Sequence, residues 1–97
     1  MTVQRYVICY DISDDRRRRK VATLLEGVGD RVQGSVFEAD LDSTLFETVR
    51  TSLDDRIDKS EDAVSSYRLC SACAKRTLYS GTQSGTPLWG EEVVIVI

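Results

Sequence analysis

Over the first 69 positions of this chain, stretches of strand-like composition take turns with stretches in which hydrophobic residues have helical spacing. This order of strands and helices limits the folds that the chain can adopt. Residues 3–10 are rich in β-branched and aromatic side chains, and 31–41 and 63–69 share this strand-like character, with Gly34 in the middle of the second stretch. Between these stretches, apolar residues recur every three or four positions, as they do along one face of a helix. The sequence therefore predicts the order strand, helix, strand, helix, strand.

Capping residues place the ends of the two predicted helices. Ser13 can cap a helix N-terminus and Gly27 supplies a stop, so we predict the first helix over 14–27. The second helix is predicted to begin at Ser43 or Thr44.

The C-terminal residues allow more than one assignment. Residues 70–90 are compatible with a short helical turn, a strand over 76–79 and a loop rich in Gly, Ser and Thr. Residues 91–97 end in an unbroken apolar run with the β-branched composition of a buried strand. The whole order predicts a single α+β domain over 1–97, a ferredoxin-like βαββαβ fold with an extra C-terminal strand.

One face of this predicted sheet needs a partner. Two helices would cover only one side of the strands, and a chain of 97 residues leaves much apolar surface poorly covered. We therefore expect a homodimer whose sheets pack face to face, with residues 78–97 as a loop and strand at the interface.

Cysteine and histidine content argues against several kinds of site. The chain has no histidine and three cysteines, Cys9, Cys70 and Cys73. An odd number of cysteines without a secretory signal predicts reduced thiols and a cytoplasmic location. Cys70 and Cys73 have the spacing of half a zinc site, but a structural zinc site needs four ligands. Serine hydrolysis finds no support either, because histidine and the G-x-S-x-G motif are both absent from the sequence.

Charge is distributed unevenly, although the formal net charge is only −3. Residues 1–37 carry seven basic and five acidic side chains, whereas residues 38–62 carry three basic and nine acidic ones. The basic charge is concentrated in the run Arg-Arg-Arg-Arg-Lys at 16–20. The sequence thus allows one basic patch on an otherwise acidic body.

Successive helix positions differ by about 100°, so the five basic side chains cannot all share one face. We predict that Arg17 and Arg18 lie toward the sheet, whereas Arg16, Arg19 and Lys20 lie toward solvent.

Two interpretations of the basic run remain open. A solvated helix face explains it without a ligand, since Asp14 with Arg18 and Asp15 with Arg19 form favourable i,i+4 pairs. Phosphate binding also explains it, because arginine offers bidentate recognition and the run begins near a helix N-terminus. Arg31, at the start of the second predicted strand, would add another cation.

Asp11 ends the first predicted strand and stands beside the basic helix. A carboxylate there could hold Mg²⁺ through oxygen, and the metal could neutralise charge on a phosphodiester. A single carboxylate provides few ligands for a metal ion. The site becomes plausible if two Asp11 side chains converge across a dimer axis. The alternative is that Asp11 only caps or begins a loop.

Four segments together resemble a known family. They are Tyr-Asp-Ile-Ser-Asp-Asp at 10–15, the basic run, Arg-Val-Gln-Gly-Ser-Val-Phe-Glu at 31–38 and Tyr-Arg-Leu-Cys at 67–70. In order and spacing they are similar to the small CRISPR-associated endoribonuclease family Cas2. The resemblance implies a ferredoxin-like homodimer in which Asp11 meets its mate at the interface and shares magnesium.

The resemblance also implies a function. Members are described as metal-dependent nucleases on single-stranded RNA or duplex DNA, and as the DNA-bridging subunit that partners the CRISPR integrase during spacer acquisition. Asp11 would be the catalytic and metal-binding residue. The basic residues expected to contact nucleic acid are Arg16, Arg17, Arg18, Arg19, Lys20 and Arg31. Tyr10, Ser35 and Phe37 would support the site.

This chain departs from the family pattern at two positions. Gly34 stands where an aromatic residue is common, and Lys20 stands where arginine is common, which keeps the charge but loses the bidentate fork. An RNA-cleaving toxin of the same fold and a small interaction module without nucleic acid are the alternative functions.

Overall fold

This computed structural model describes residues 2–76, 78–80 and 94–96. The elements, in chain order, are β1 (Gln4–Asp11), α1 (Asp15–Glu26), β2 (Asp30–Gln33), β3 (Val36–Leu41), α2 (Ser43–Arg56), β4 (Ala63–Leu69), α3 (Ser71–Lys75), β5 (Leu78–Ser80) and β6 (Val94–Val96). No helix in the described ranges is long and apolar enough to cross a membrane.

The prediction of one strand over 31–41 is wrong, because the chain reverses at Gly34 and Ser35 to form the β2–β3 hairpin. Its register shifts between Arg31 and Gln33, so the apolar residues on the two sides of the turn do not continue one alternation. A glycine within a strand pattern fits a bulge or a turn equally well, and here it belongs to a two-residue connection.

Capping differs slightly from the prediction. Asp14, not Ser13, caps α1, since its Oδ2 accepts a hydrogen bond from the Arg17 amide at 2.9 Å. Asp42 caps α2 in the same way through the amide of Leu45, at 2.8 Å. Both helices begin within one or two residues of the predicted positions.

The four long strands form one sheet in the order β2-β3-β1-β4, and every neighbouring pair is antiparallel. This is the ferredoxin-like arrangement that the sequence predicts. The hydrophobic core lies between one face of the sheet and the two long helices. It contains alternate residues of β1 and β3 together with helix residues, notably Ile8, Phe37, Leu41, Val21, Leu25, Val49 and Leu53.

Gly29 is required where α1 leads into β2. A Cβ at this position would lie 2.3 Å from the carbonyl oxygen of Glu38 and 2.8 Å from the Ala39 Cβ. The close approach lets β2 pair with β3 directly after the helix.

Neither of the two long helices covers the opposite face of the sheet, and only the short α3 packs against it among the described residues, at the end where β1 begins and β4 ends. There the Arg5 side chain of β1 extends over β3, where it donates to Glu38 at 3.1 Å and forms a bidentate pair with Asp40. Tyr67 of β4 is 59% exposed on the same face. We call this surface the open face.

The C-terminal predictions are confirmed in part. The short helical turn is α3, while β5 and β6 pair in parallel as a separate two-stranded sheet. The predicted loop rich in Gly, Ser and Thr lies outside the described residues.

Candidate functional site

Asp11 occupies the last position of β1, with its side chain exposed on the open face. Its neighbour Tyr10 is buried in the core on the helix side, because successive strand residues point to opposite faces. Within residues 2–76, 78–80 and 94–96, no three His, Cys, Asp or Glu side chains gather in a way that could hold a metal ion. Asp11 is thus a single candidate ligand in one subunit, because the nearby Asp62, which precedes the register partner Ala63, is already bonded to Arg17.

Most of the other predicted site residues surround one cavity on the helix side. Its volume is about 340 Å³, and its walls are Tyr10, Arg18, Arg19, Ala22, Arg31, Gly34 and Ser35. The Tyr10 amide donates to the Ser35 carbonyl at 3.1 Å, which joins the end of β1 to the β2–β3 turn. We call this space the arginine cavity. No carboxylate forms its wall.

Arg31 brings a buried hydrogen-bond donor to this cavity. Its guanidinium carbon lies 5.1 Å from the centre of the Phe37 ring, in a cation–π contact across the hairpin. Its Nε is buried and has no hydrogen-bond partner among the described residues. A buried donor without a partner is costly, so an anion that enters the cavity could satisfy it.

Phe37 and Tyr10 pack in the core next to the arginine cavity. Phe37 is completely buried, and its ring centre is 6.2 Å from that of Tyr10. Both rings belong to the core, so they position Arg31 and the β2–β3 turn and do not present a free stacking surface.

Arg18 and Arg19 contribute charge to the cavity but share it with Asp15. Arg18 donates to the carbonyl oxygens of Ile12 and Ser13 at 3.2 and 3.3 Å and forms an ion pair with Asp15. Arg19 is 3.9 Å from the same carboxylate, and its side chain is 78% exposed. The predicted Asp15–Arg19 pair is thus present, and Arg19 stays accessible to a ligand.

Arg17 has a structural role in this chain. Its Nε donates to Asp62 at 2.7 Å and its Nη2 to Glu61 at 3.1 Å, which ties α1 to the loop before β4. Hydrogen bonds from Arg17 and from the Asp58 amide hold the pKa of Asp62 below its usual value. Since carboxylates already occupy this guanidinium, we leave Arg17 out of the proposed interface.

The orientation predicted for the basic run is confirmed. Arg17 and Arg18 are half-buried, whereas Arg16, Arg19 and Lys20 are exposed.

Sequence analysis missed one basic residue. A second cavity, of about 600 Å³, lies between α1 and α2, with Arg19, Lys20, Thr23, Leu24, Asp55 and Arg56 around it. Arg56 comes from the acidic part of the sequence, so counting charge along the chain hid it. Its place in the last turn of α2 was the available signal, because that turn packs beside α1.

The structure therefore separates the predicted site into two parts. Arg18, Arg19, Arg31 and Ser35 gather around the arginine cavity, whereas Asp11 lies on the opposite face of the sheet. Arg16 and Lys20 extend the basic surface along α1. The described residues of one subunit thus present a basic surface on the helix side and the exposed Asp11 carboxylate on the other side of the sheet.

Comparisons with known proteins give a consistent result. Residues 4–77 match the family model described as CRISPR associated protein Cas2. A curated relative named CRISPR-associated endoribonuclease Cas2 1, from Chloroflexus aurantiacus, is 47% identical over 72 residues, which cover 73% of this chain and 77% of that protein.

Solved structures agree with the sequence matches. The crystal structure of Streptococcus pyogenes Cas2 superposes with a TM-score of 0.69 at 29% identity, covering 75% of this chain and 94% of that one. A chain of a partial Cas6-RT-Cas1–Cas2 complex superposes with a TM-score of 0.67 at 32% identity, covering 76% of this chain and 87% of that one.

Proposed function

The chain belongs to the Cas2 family of CRISPR-associated adaptation proteins, and from this premise we propose that it is the dimeric, nucleic-acid-binding partner of a CRISPR integrase. The observation that supports binding most directly is Arg31, which lines a cavity together with two further arginines and whose buried Nε has no partner in the described part of the chain. A backbone phosphate is the ligand that this group fits, because arginine binds phosphate with paired N–H donors.

The exposed cations of α1 extend this proposed interface. Arg16, Arg19 and Lys20 are exposed on one helix, and Arg56 joins Arg19 and Lys20 at the cavity between the helices. Such a surface follows a sugar–phosphate backbone without reading its sequence. The negative net charge of the chain does not oppose this role, because five consecutive basic residues, 16–20, lie on one helix.

A homodimer would use the open face. Neither long helix covers this face, and Tyr67 leaves a large aromatic surface exposed there. In the dimer we propose, the two sheets pack face to face and residues 78–97 belong to the interface. The helix sides of both subunits then face outward, so that the basic surface of each subunit stays accessible to nucleic acid.

In the proposed dimer, the two Asp11 side chains would hold Mg²⁺ between them. Mg²⁺ is commonly held by one or two carboxylates together with waters and substrate phosphates, and the exposed Asp11 can supply one carboxylate from each subunit. When bound there, the metal would supply positive charge to a phosphodiester and increase the acidity of water. Asp11 is accordingly the catalytic residue of the nuclease activity that we propose for this dimer.

The integrase partner is proposed from the likeness to a chain of the partial Cas6-RT-Cas1–Cas2 complex. We also propose a cytoplasmic location, because a protein that acts on CRISPR DNA would meet its substrate there. The alternative of an RNA-cleaving toxin loses support, since the matched relatives carry CRISPR-associated names.

Binding of duplex DNA tests the proposal most directly. We expect Arg31→Ala to weaken binding, and the slope of log affinity against log salt to fall by about 1, because one phosphate contact is lost. Fluorescence anisotropy with a labelled duplex over a series of salt concentrations measures both quantities.

Arg50→Ala is the matched control for this experiment. Arg50 is an exposed helix arginine that pairs with Glu47 at 2.8 Å, away from both cavities. Its loss should leave affinity and slope nearly unchanged. Equal effects of the two variants would contradict the assignment of Arg31 to the interface.

A further inference from the structure

Two of the three cysteines lie together at the junction of β4 and α3. Cys70 caps α3 and Cys73 follows one turn later, and the Cys73 amide donates to the Cys70 sulfur at 3.4 Å. Both side chains are exposed. Cys9 is half-buried within β1, where it pairs with Ser65 of β4 and Val36 of β3.

The two thiols also interact with each other. The Cys73 thiol donates a hydrogen bond to the Cys70 sulfur, which lowers the pKa of Cys70 and raises that of Cys73. The two sulfurs thus have unequal roles. A thiol with a lowered pKa ionises more readily than its neighbour, so Cys70 is the candidate nucleophile of the pair.

Metal binding explains this pair less well than thiol chemistry does. A structural zinc site takes four ligands, and in the described part of the chain no third His, Cys, Asp or Glu joins the two cysteines. The pair is accessible, close and asymmetric, which are the properties of a dithiol that exchanges with disulfides.

We propose that Cys70 and Cys73 form a thiol–disulfide exchange site whose substrates are glutathione-type disulfides. The Cys70 thiolate attacks one sulfur of the disulfide, forms a mixed disulfide and releases the first thiolate. Cys73 then loses its proton, its sulfur attacks the Cys70 sulfur, and the second thiolate leaves. The two cysteines are oxidised by two electrons, the external disulfide is reduced to two thiols, and the protons of the cysteines end on those thiols.

The location gives the exchange a structural consequence. α3 packs against β1 and β4, and a cavity of about 230 Å³ beside it is formed in part by Arg5, Asp40, Ser71 and Lys75. A Cys70–Cys73 disulfide would fix the first turn of α3 to the end of β4, next to the ion pairs of the open face. This site is independent of the arginine cavity and of the nucleic-acid role.

Alkylation after redox equilibration tests the proposal on the full chain. The protein is equilibrated with oxidised and reduced glutathione in varied ratio, quenched in acid, unfolded, treated with iodoacetamide and measured by peptide mass spectrometry. In the oxidised mixtures we expect Cys70 and Cys73 to carry no alkyl label. Their peptide should be two hydrogens lighter than the unlabelled dithiol peptide, while Cys9 stays labelled. Reduced glutathione should restore both labels.

Single variants test the order of the two steps. Cys73→Ser should trap glutathione on Cys70, whereas Cys70→Ser should leave Cys73 mostly labelled by iodoacetamide. Cys9→Ala is the matched control and should exchange as the wild type does. The proposal is overturned if Cys70 and Cys73 keep both labels in every mixture, or if each carries glutathione without closing a disulfide.

Discussion

The two faces of the central sheet are built from the same strands but from different chemistry. On the helix side, alternate residues of β1 and β3 are apolar and buried against α1 and α2, with Phe37 at 0% exposure. On the open face, the intervening positions include Arg5, Glu38 and Asp11. One face therefore accounts for the hydrophobic core, and the other presents charge to whatever covers it.

This difference separates folding from function along each strand. Tyr10 and Asp11 are adjacent, yet one belongs to the core and the other is an exposed carboxylate. The helix side still has functional groups at its rim, where Arg31 lies over the buried Phe37 ring. We expect substitutions on the helix side to change stability first, and exposed substitutions on the open face to change activity or assembly.

Phe37→Ala should have the largest effect on stability. Removing a completely buried ring is expected to lower the free energy of unfolding by about 3–5 kcal/mol, because packing is lost and a cavity remains. Tyr67→Ala, on the open face, is the control and should cost about 0.5 kcal/mol when unfolding is measured on the monomer, at protein concentrations too low for the proposed dimer to form. Urea denaturation measures both, and equal losses would break the distinction between the faces.

Arg5→Met tests a part of the open face that is as buried as the core. Arg5 is 5% exposed and Glu38 is 4% exposed, so losing the guanidinium leaves a buried carboxylate without this partner. We expect a loss of about 3 kcal/mol in the free energy of unfolding. Asp40→Asn should cost less, because that side chain is 37% exposed and water can replace the contact. A larger loss for Asp40→Asn would reverse this ranking.

Asp62→Asn tests the contribution of charge at the edge of the helix side. The pKa of Asp62 is lowered in the folded protein, chiefly by Arg17, so its ionised form stabilises the fold above the unfolded pKa of about 4. That stability is lost as the pH falls through the folded pKa. The variant should therefore be less stable at pH 7, and its stability should fall less steeply below about pH 4.

Urea midpoints at several pH values between about 7 and 2.5 measure the two acid slopes. Glu47→Gln is the control, since an exposed pair within α2 lowers the pKa of Glu47. Identical slopes for wild type and Asp62→Asn would show that the Arg17–Asp62 pair does not stabilise the fold.

The helix side could be predicted from sequence because its signal is local. Apolar spacing of three or four residues identified the buried positions of both helices, including Leu25 and Leu53. The reversal at Gly34 could not be separated from a bulge, because both allow a glycine between apolar residues. The difference between Ser13 and Asp14 as the cap of α1 is similar, since both residue types cap well.

Contacts between distant residues explain what sequence reasoning missed in the site. Arg17 looked available for phosphate, but its partner Asp62 is 45 positions away and becomes a neighbour only after folding. Likewise, Arg56 joins Lys20 only because α2 packs beside α1. The placement of Arg31 over Phe37 depends on the hairpin register, which a single-strand prediction could not provide.

Asp11→Ala should have the smallest effect on stability and the sharpest effect on activity. Its side chain is exposed and forms no ion pair with another described residue, so the free energy of unfolding should change by less than about 0.5 kcal/mol. Magnesium-dependent cleavage of labelled RNA or duplex DNA should be lost, while DNA affinity persists because the arginine cavity is intact. If the wild type does not cleave, or if Asp11→Ala still does, the nuclease proposal is wrong. DNA binding would then depend on Arg31 and its neighbours, and the open face would serve assembly alone.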